Sequence, residues 1–388
     1  MRKSFGSPVL WMRSLPTAAS GKQCRLSRRV NCWRFSHEWD ARPDQSPDDE
    51  QKGALMKVFV TGGTGFLGRR VVRMLCEDGL QVRCLVRPSS DLSALRDYVG
   101  PDLWNGVEVA PGELSDVDSC RRLIDDCDTV CHVAAALGGS TAVMFLNTVI
   151  PTRYLLTAAV QCGVSRLVQV SSFGVYGAAG LSTGALLNEQ TPLDPHPEWR
   201  DPYSYSKIIQ EQAAWEVHQQ SKLPLVIIRP GVIFGPGRGV LSGRVGLNVG
   251  PLLVRMGGSQ TLPYTYVDNC ASAIRQAVLA EGIDGEAFNI LDDGLPTGSQ
   301  LVRRLRRAGQ KVRSLWVPRP LIGPLSSVYE WYSLWSRGQL PGVITRYRSD
   351  SMWKKLRYSN EKAKSVLGWR PHVSFEEAFE RSLAGGRA

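Results

Sequence analysis

The 388-residue chain predicts an α/β protein: a doubly wound, parallel Rossmann sheet of about seven strands with a smaller C-terminal substrate lobe. Three observations predict it. An apolar strand, Lys57 to Thr61, runs straight into the glycines of T-G-G-T-G-F-L-G and then into a helical pattern from about Arg69 to Glu77, apolar at Val71, Val72 and Leu75. Six further strand-like runs follow, separated by helical patterns. Two stretches, 231–263 and from Pro296 onward, are too long to be simple connections and are expected to build the lobe over the C-terminal edge of the sheet.

Before this begins, the chain carries Arg2, Lys3, Arg13, Lys22, Arg25, Arg28, Arg29 and Arg34 with no acid ahead of Glu38, then turns acidic and proline-containing from Asp40 to Glu50. Residues 1–55 lack sustained apolar periodicity and read as a disordered extension or an over-long assigned start, with an Arg-rich transit peptide as the alternative. Their apolar runs are too short for a secretory core or a membrane span. Of the net charge of +11, eight units come from the basic residues ahead of Glu38, which leaves +3 (11 minus 8) for the chain from Glu38 onward. Charge outside the fold says little about what the fold binds, so no nucleic-acid partner is expected. The nine cysteines are scattered, and Cys127 to Cys131 lacks C-x-x-C spacing. They read as reduced thiols in a cytosol-like compartment, and no metal site is expected.

The strands are expected at 57–61, 81–86, 107–110, 129–133, 166–171, 225–229 and 287–290, with helices such as Thr152 to Cys162 and Ser204 to Gln220 between them. Residues 56–230 are read as the dinucleotide-binding domain and 231–388 as the substrate lobe, with 264–292 returning to the sheet.

The glycines carry the first functional expectation. Gly62 permits the tight turn, Gly65 lets backbone amides approach a pyrophosphate, and Gly68 lets the helix pack close with its positive end toward the phosphates. A glycine turn without ligand is the alternative; the strand before and the helix after supply the context that the motif needs. An NAD site usually ends its second strand with an acid that holds the ribose 2′-hydroxyl. Here Val82 to Val86 ends in Arg87, Pro88, Ser89 and Ser90, a cation and two hydroxyls suited to a 2′-phosphate. NADP is therefore the expected cofactor and NAD the alternative, against a plain reading of Arg87 as a solvated strand end.

Tyr203 and Lys207 form Y-x-x-x-K in D-P-Y-S-Y-S-K, one turn apart on one helix face. A tyrosine near pKa 10 is a poor base at neutral pH, and a neighbouring ammonium would bring it toward the working range. A solvated surface pair is the bland alternative. Ser172, at the C-terminal end of the fifth strand, raises the functional reading because a hydroxyl there points into the ligand crevice, where it can bond a carbonyl or alkoxide oxygen.

With these residues in place, the chain from about Met56 to Leu383 resembles the extended short-chain dehydrogenase/reductases of the NAD(P)-dependent epimerase/dehydratase and 3β-hydroxysteroid dehydrogenase group. T-G-G-T-G-F-L-G, H-V-A-A at His132 to Ala135, R-P-G-V-I-F-G-P-G at Arg229 to Gly237 and L-G-W-R-P at Leu367 to Pro371 are similar to the group's motifs. The resemblance implies a catalytic triad of Ser172, Tyr203 and Lys207. It implies cofactor contacts at Gly62, Thr64, Gly65, Phe66, Leu67, Gly68, Arg87, Glu113, Leu114, Ala134, Ala135 and Pro230, besides Tyr203 and Lys207. Two departures stand out. Asn147 lies five residues before Thr152 where the group has four, so Thr148 takes its place. Glu113 stands where an aspartate is usual near the adenine.

The implied reaction is hydride transfer between a secondary alcohol or ketone and the nicotinamide; an epimerase uses that step twice. Y-V-D-N at Tyr266 to Asn269, with no arginine in Leu262 to Val267, tilts the expectation toward an apolar, sterol- or isoprenoid-like substrate. Arg238, Arg244 and Arg255 could grip a diphosphate, which keeps a nucleotide-sugar epimerase/dehydratase as the rival, with a non-catalytic NADP-binding regulator behind it. A homodimer in the cytoplasm is expected. The Trp- and Tyr-rich stretch Leu315 to Trp335, flanked by Arg303, Arg304, Arg306, Arg307, Lys311, Arg313 and Arg337, is expected to wall the substrate pocket and to touch a membrane peripherally.

Overall fold

The computed structural model describes residues 56–336 and 343–385; the expected extension 1–55 and Arg337 lie outside the described residues. Seven parallel strands form one sheet: β1 (Lys57–Thr61), β2 (Gln81–Val86), β3 (Val107–Pro111), β4 (Thr129–His132), β5 (Arg166–Val170), β6 (Leu225–Pro230) and, after two lobe strands, β9 (Glu286–Ile290). Their order across the sheet is β9-β6-β5-β4-β1-β2-β3, reversing beside β1 as a doubly wound fold requires. Each strand end falls within one residue of expectation. The signal is strong because inner strands are covered on both faces and read as continuous apolar runs; all six residues of β6 are buried.

Helices cover both faces. Helix α1 (Gly68–Glu77) buries Val71, Val72 and Leu75 on one face, alongside α5 (Val267–Leu279). Helices α2 (Val117–Ile124), α3 (Ile150–Cys162) and α4 (Pro202–Ser221) cover the other, where Leu155, Leu156, Ala213 and Ala214 meet Phe59 and Ile227. Among the described residues, the continuous helical run Thr141–Cys162 is the one stretch long and apolar enough to cross a membrane; here it packs beside α2 and α4.

The chain beyond β6 builds a small sheet in the order β10-β8-β7, from β7 (Gly246–Val249), β8 (Leu252–Met256) and β10 (Ser314–Val317). Helix α6 (Gly298–Arg307) precedes β10, and α7 (Arg319–Trp335), α8 (Arg346–Trp353) and α9 (Phe375–Ala384) follow it. Ile322 of α7 and Trp353 of α8 pack on the face carrying Val254, Met256 and Val317.

Candidate active site

The C-terminal ends of β1, β4, β5 and β6 open into a cavity of about 750 Å³. Its lower wall is the glycine loop. Gly62 has φ +73°, and a side chain there would bring Cβ to 2.9 Å from the backbone of Ala134. At Gly68 a Cβ would sit 2.0 Å from the Gly62 carbonyl oxygen, so only glycine lets α1 start this close to β1. No side chain caps the N-terminus of α1; the Arg69 and Arg70 amides bond back to the Gly65 and Leu67 carbonyls at 3.1 Å, so the helix end at Leu67 and Gly68, on the cavity wall, is what it presents to a ligand. Thr64, Phe66, Leu67, Ala134, Ala135 and Pro230 also line the cavity, and the exposed Arg87 stands at its rim. The loop, the uncapped helix end and the rim cation fit a dinucleotide. Glu113 is exposed and Leu114 packs into the helical layer. Neither lines the cavity, so the expected adenine contacts are not brought to it.

Ser172, Tyr203 and Lys207 converge on the same space. Asp201 caps α4 by accepting the Ser204 amide at 3.0 Å, with Pro202 in the first turn. The D-P pair thus starts the helix where Tyr203 must be presented, and Lys207 follows one turn later. The Ser172 hydroxyl accepts the Gly174 amide at 3.0 Å and is hydrogen-bonded to Tyr203. Burial raises the Tyr203 phenol above its ordinary range, while Ser172 and the charge of Arg238 pull it down.

Lys207 follows Tyr203 by one turn of α4 and is held from the protein side. Its ammonium, 2% exposed, donates to the Val170 carbonyl at 2.7 Å and to Gln210 Oε1. Burial lowers the lysine to about 7, with Glu211 opposing. Gln210 continues inward to Thr152 Oγ1 at 2.7 Å, which lies 2.8 Å from His132 Nε2; Nδ1 of the same ring lies 2.8 Å from Thr61 Oγ1. Burial, then the charge of Lys207, lowers His132 to about 3, so the ring is neutral.

The asparagine offset has a structural cause. Phe145–Val149 forms one turn of π-helix, whose extra residue re-aims the side chains that follow. Asn147 is exposed and bonds back to the Val143 carbonyl at 2.9 Å, while buried Thr148 accepts the Ala136 amide at 3.0 Å. Thr148 therefore occupies the inward place, and Asn147 has no part in the site.

A buried hub under the site was missed in the sequence. Glu211 accepts from Ser171, from Trp215 Nε1 at 3.1 Å and from Arg229, whose Nη1 also donates to the Tyr176 hydroxyl at 2.8 Å. Tyr176 in turn donates to Asn289 at 2.6 Å. The hub ties β5, α4, β6 and β9 behind the triad. A carboxylate four residues after Lys207 and an arginine opening R-P-G were its only sequence signals.

The upper wall differs from expectation. Apolar Val232, Ile233, Val240, Leu241 and Leu247 face Met352 and Trp353 of α8, whereas no residue of α7 lines the cavity. Arg238 and Arg244 reach it, but Arg255 does not: it projects from the opposite face of the small sheet from Val254 and Met256, so the expected three-arginine grip is reduced to two.

A family model described as the NAD dependent epimerase/dehydratase family matches residues 58–290. A 2-alkyl-3-oxoalkanoate reductase of Stenotrophomonas maltophilia (strain K279a) is 29% identical over 344 residues, covering 86% of this chain and all of the relative. A decarboxylating sterol-4-alpha-carboxylate 3-dehydrogenase of Dictyostelium discoideum is 24% identical over 337 residues, covering 84% of this chain and 99% of the relative. The crystal structure of gox2253 superposes with TM-score 0.69 at 28% identity, covering 85% of this chain and 97% of that one. UDP-glucuronic acid 4-epimerase from Bacillus cereus, solved with UDP-glucuronic acid and NAD, has TM-score 0.65 at 20% identity, covering 86% and 99%; at that identity the likeness is one of fold. Glycine loop, triad and matched length agree, and the chain belongs to the NAD-dependent epimerase/dehydratase family as an NAD(P)-dependent oxidoreductase.

Proposed function

We propose that the chain interconverts a secondary alcohol and a ketone lying β to a carboxylate on an apolar body. The observation that carries this is the upper half of the cavity: an apolar wall from Val232, Val240, Leu247 and Met352, interrupted by Arg238 and Arg244. Among the described residues no carboxylate pairs with either arginine. A guanidinium facing an apolar cavity without a counter-ion suits a substrate carboxylate. Two relatives support the same chemistry from their names: a 2-alkyl-3-oxoalkanoate carries its ketone β to the acid, and a sterol 4-carboxylate dehydrogenated at C3 carries its alcohol there.

With its pyrophosphate against the glycine loop, a bound dinucleotide would supply the hydride acceptor or donor through its nicotinamide. The residues of the chain do the rest. Tyr203 exchanges the hydroxyl proton, Ser172 holds the same oxygen, and Lys207 supplies positive charge beside them. Arg87 at the rim supports NADP over NAD, because the nearest acid after β2, Asp91, is engaged by the amide and hydroxyl of Ser93. The exposed apolar face of α7 supports peripheral membrane contact, and the expected homodimer rests on the family resemblance.

A nucleotide sugar is the second reading, because Arg238 and Arg244 could hold a diphosphate. The purified full chain, assayed for NADPH consumption with oxo acids and for epimerised or dehydrated product with UDP-sugars, separates the two. Turnover is expected with a long-chain 2-alkyl-3-oxo acid and is expected to fall sharply with its methyl ester. Turnover of UDP-sugars with none of the oxo acid would overturn the proposal.

A further inference from the structure

Arg255, absent from the catalytic cavity, belongs to a second cleft. In the small sheet Arg255 of β8 is in register with Trp316 of β10, so both side chains leave the same face. Helix α6 lies over that face. Its residues Ser299, Val302, Arg303, Arg306 and Arg307 are spaced at three and four, on one helix side, and with Arg255 they line a cleft of about 450 Å³.

Four guanidinium groups converge there without an acid. Arg306 is held in place by the Val312 carbonyl at 3.1 Å and the Ser314 hydroxyl at 2.8 Å. Arg303 and Arg307 are exposed, and among the described residues no carboxylate pairs with them. The Nε of Arg255 is buried and has no hydrogen-bond partner. Burial, then the charge of Arg306, lowers the affinity of Arg255 for its proton. Arg304, pointing away from the cleft, shows the contrast: it pairs with Glu376 at 2.9 Å. The helix dipole favours cations in the last turn of α6, but it does not explain an unpartnered guanidinium contributed by a neighbouring strand. A buried, unsatisfied arginine donor among like charges costs stability, and an anion with several oxygens removes that cost.

The surroundings indicate where the anion comes from. Strand β10 is the edge of the small sheet; Leu315 and Trp316 on it are each 55% exposed. Behind that edge α7 turns Val328, Trp331, Leu334 and Trp335 outward, at 63% to 76% exposure. Arginines beside exposed tryptophans and aliphatic side chains match the layered chemistry of a bilayer interface.

We propose that this cleft binds a phosphate group, that of an anionic lipid headgroup, while the outward face of α7 enters the adjoining apolar layer. The site is separate from the catalytic cavity, and the inference does not depend on which substrate that cavity takes.

Sedimentation of the full chain with vesicles tests it, using phosphatidylcholine alone and phosphatidylcholine containing one-fifth phosphatidic acid, at low salt. Arg303→Gln/Arg307→Gln removes two exposed cations without touching a packed contact. It is expected to weaken partitioning onto the phosphatidic acid vesicles by about fivefold for each arginine, with turnover of a soluble substrate unchanged. Arg121→Gln/Arg122→Gln on α2 removes the same charge elsewhere and is expected to leave partitioning unaltered. Equal loss in both variants would reduce the effect to net charge and overturn the site. No partitioning of the wild type would also overturn it, and so would thermal stabilisation by inorganic phosphate without vesicle binding, which would assign the cleft to a free anion.

Discussion

Replacing Lys207 by Met tests how the fold holds a buried lysine. Lys207 is 2% exposed and burial brings it to about 7 from an ordinary 10.5. Between those two values the unfolded lysine keeps a proton that the folded one has lost, so the unfolded state binds more protons and stability rises with pH. Below 7 both states are protonated and the penalty is constant. It amounts to roughly 4 kcal/mol at pH 7 and roughly 1.5 kcal/mol at pH 9.5. Met keeps most of the apolar stem and does not titrate. Urea unfolding of the cofactor-free proteins, followed by tryptophan fluorescence, should therefore show the wild type gaining about 3 kcal/mol on the variant between pH 7 and 9.5. Titrations common to both proteins cancel in that difference. Parallel stability curves would refute the reasoning, because they would mean that the lysine keeps its charge in the fold.

Tyr203→Phe should lower turnover by about 10²- to 10⁴-fold, the usual contribution of a positioned acid or base, with NADPH affinity measured by fluorescence unchanged; retention of a tenth of the activity would remove Tyr203 from its role. Glu211→Ala should cost about 3–5 kcal/mol in urea unfolding, since it strands Arg229 in the interior; a loss below 1 kcal/mol would show that the hub is dispensable. Arg244→Gln should raise KM for a 3-oxo acid about tenfold or more, as expected for a lost charge-assisted contact, while leaving KM for the methyl ester alone; equal effects on acid and ester would place the carboxylate elsewhere. Arg87→Asp should weaken NADPH binding in a calorimetric titration and spare NADH, and tighter NADH than NADPH binding by the wild type would sink the NADP preference.

The sheet was legible because each of its strands is a local event. A run such as Leu225–Pro230, wholly buried, needs apolar residues at every position, and that composition is visible without knowing its neighbours. The convergence of Ser172 and Tyr203 on one cavity was legible for a related reason: Ser172 sits at a strand end and Tyr203 in a capped first turn, so local grammar places both. Gln210, Glu211 and Arg229 were not, because their meaning lies in partners as much as 78 residues away, as with Gln210 and His132. The π-turn at Phe145–Val149 was likewise hidden. It appears in the sequence only as a spacing one residue too long between Asn147 and Thr152. Composition identified Leu315 to Trp335 as unusual but could not say which way its aromatics face; with Trp331 at 64% and Trp335 at 67% exposure, they point away from the cavity that they were expected to wall.

The buried chain behind Lys207 has a direction, and it follows from one group that can only accept. The Thr148 carbonyl takes the proton of the Thr152 hydroxyl at 2.6 Å, so Thr152 Oγ1 accepts from His132 Nε2. A neutral ring then has a bare Nδ1, which accepts from the Thr61 hydroxyl, while Thr61 Oγ1 accepts the Ala134 amide at 3.1 Å. Gln210 also donates to Thr152, which fixes its amide so that Oε1 faces Lys207. A protonated His132 would present a second donor to Thr61 and a second positive charge near Lys207, which is why burial and the lysine together keep it neutral. Of the three ammonium protons, one is taken by Val170 and one by Gln210; the third is left for the cavity that Lys207 lines. The chain begins at Ala134, the residue that Gly62 approaches most closely. The glycine loop and the helix that carries Lys207 are therefore joined through one continuous run of buried hydrogen bonds.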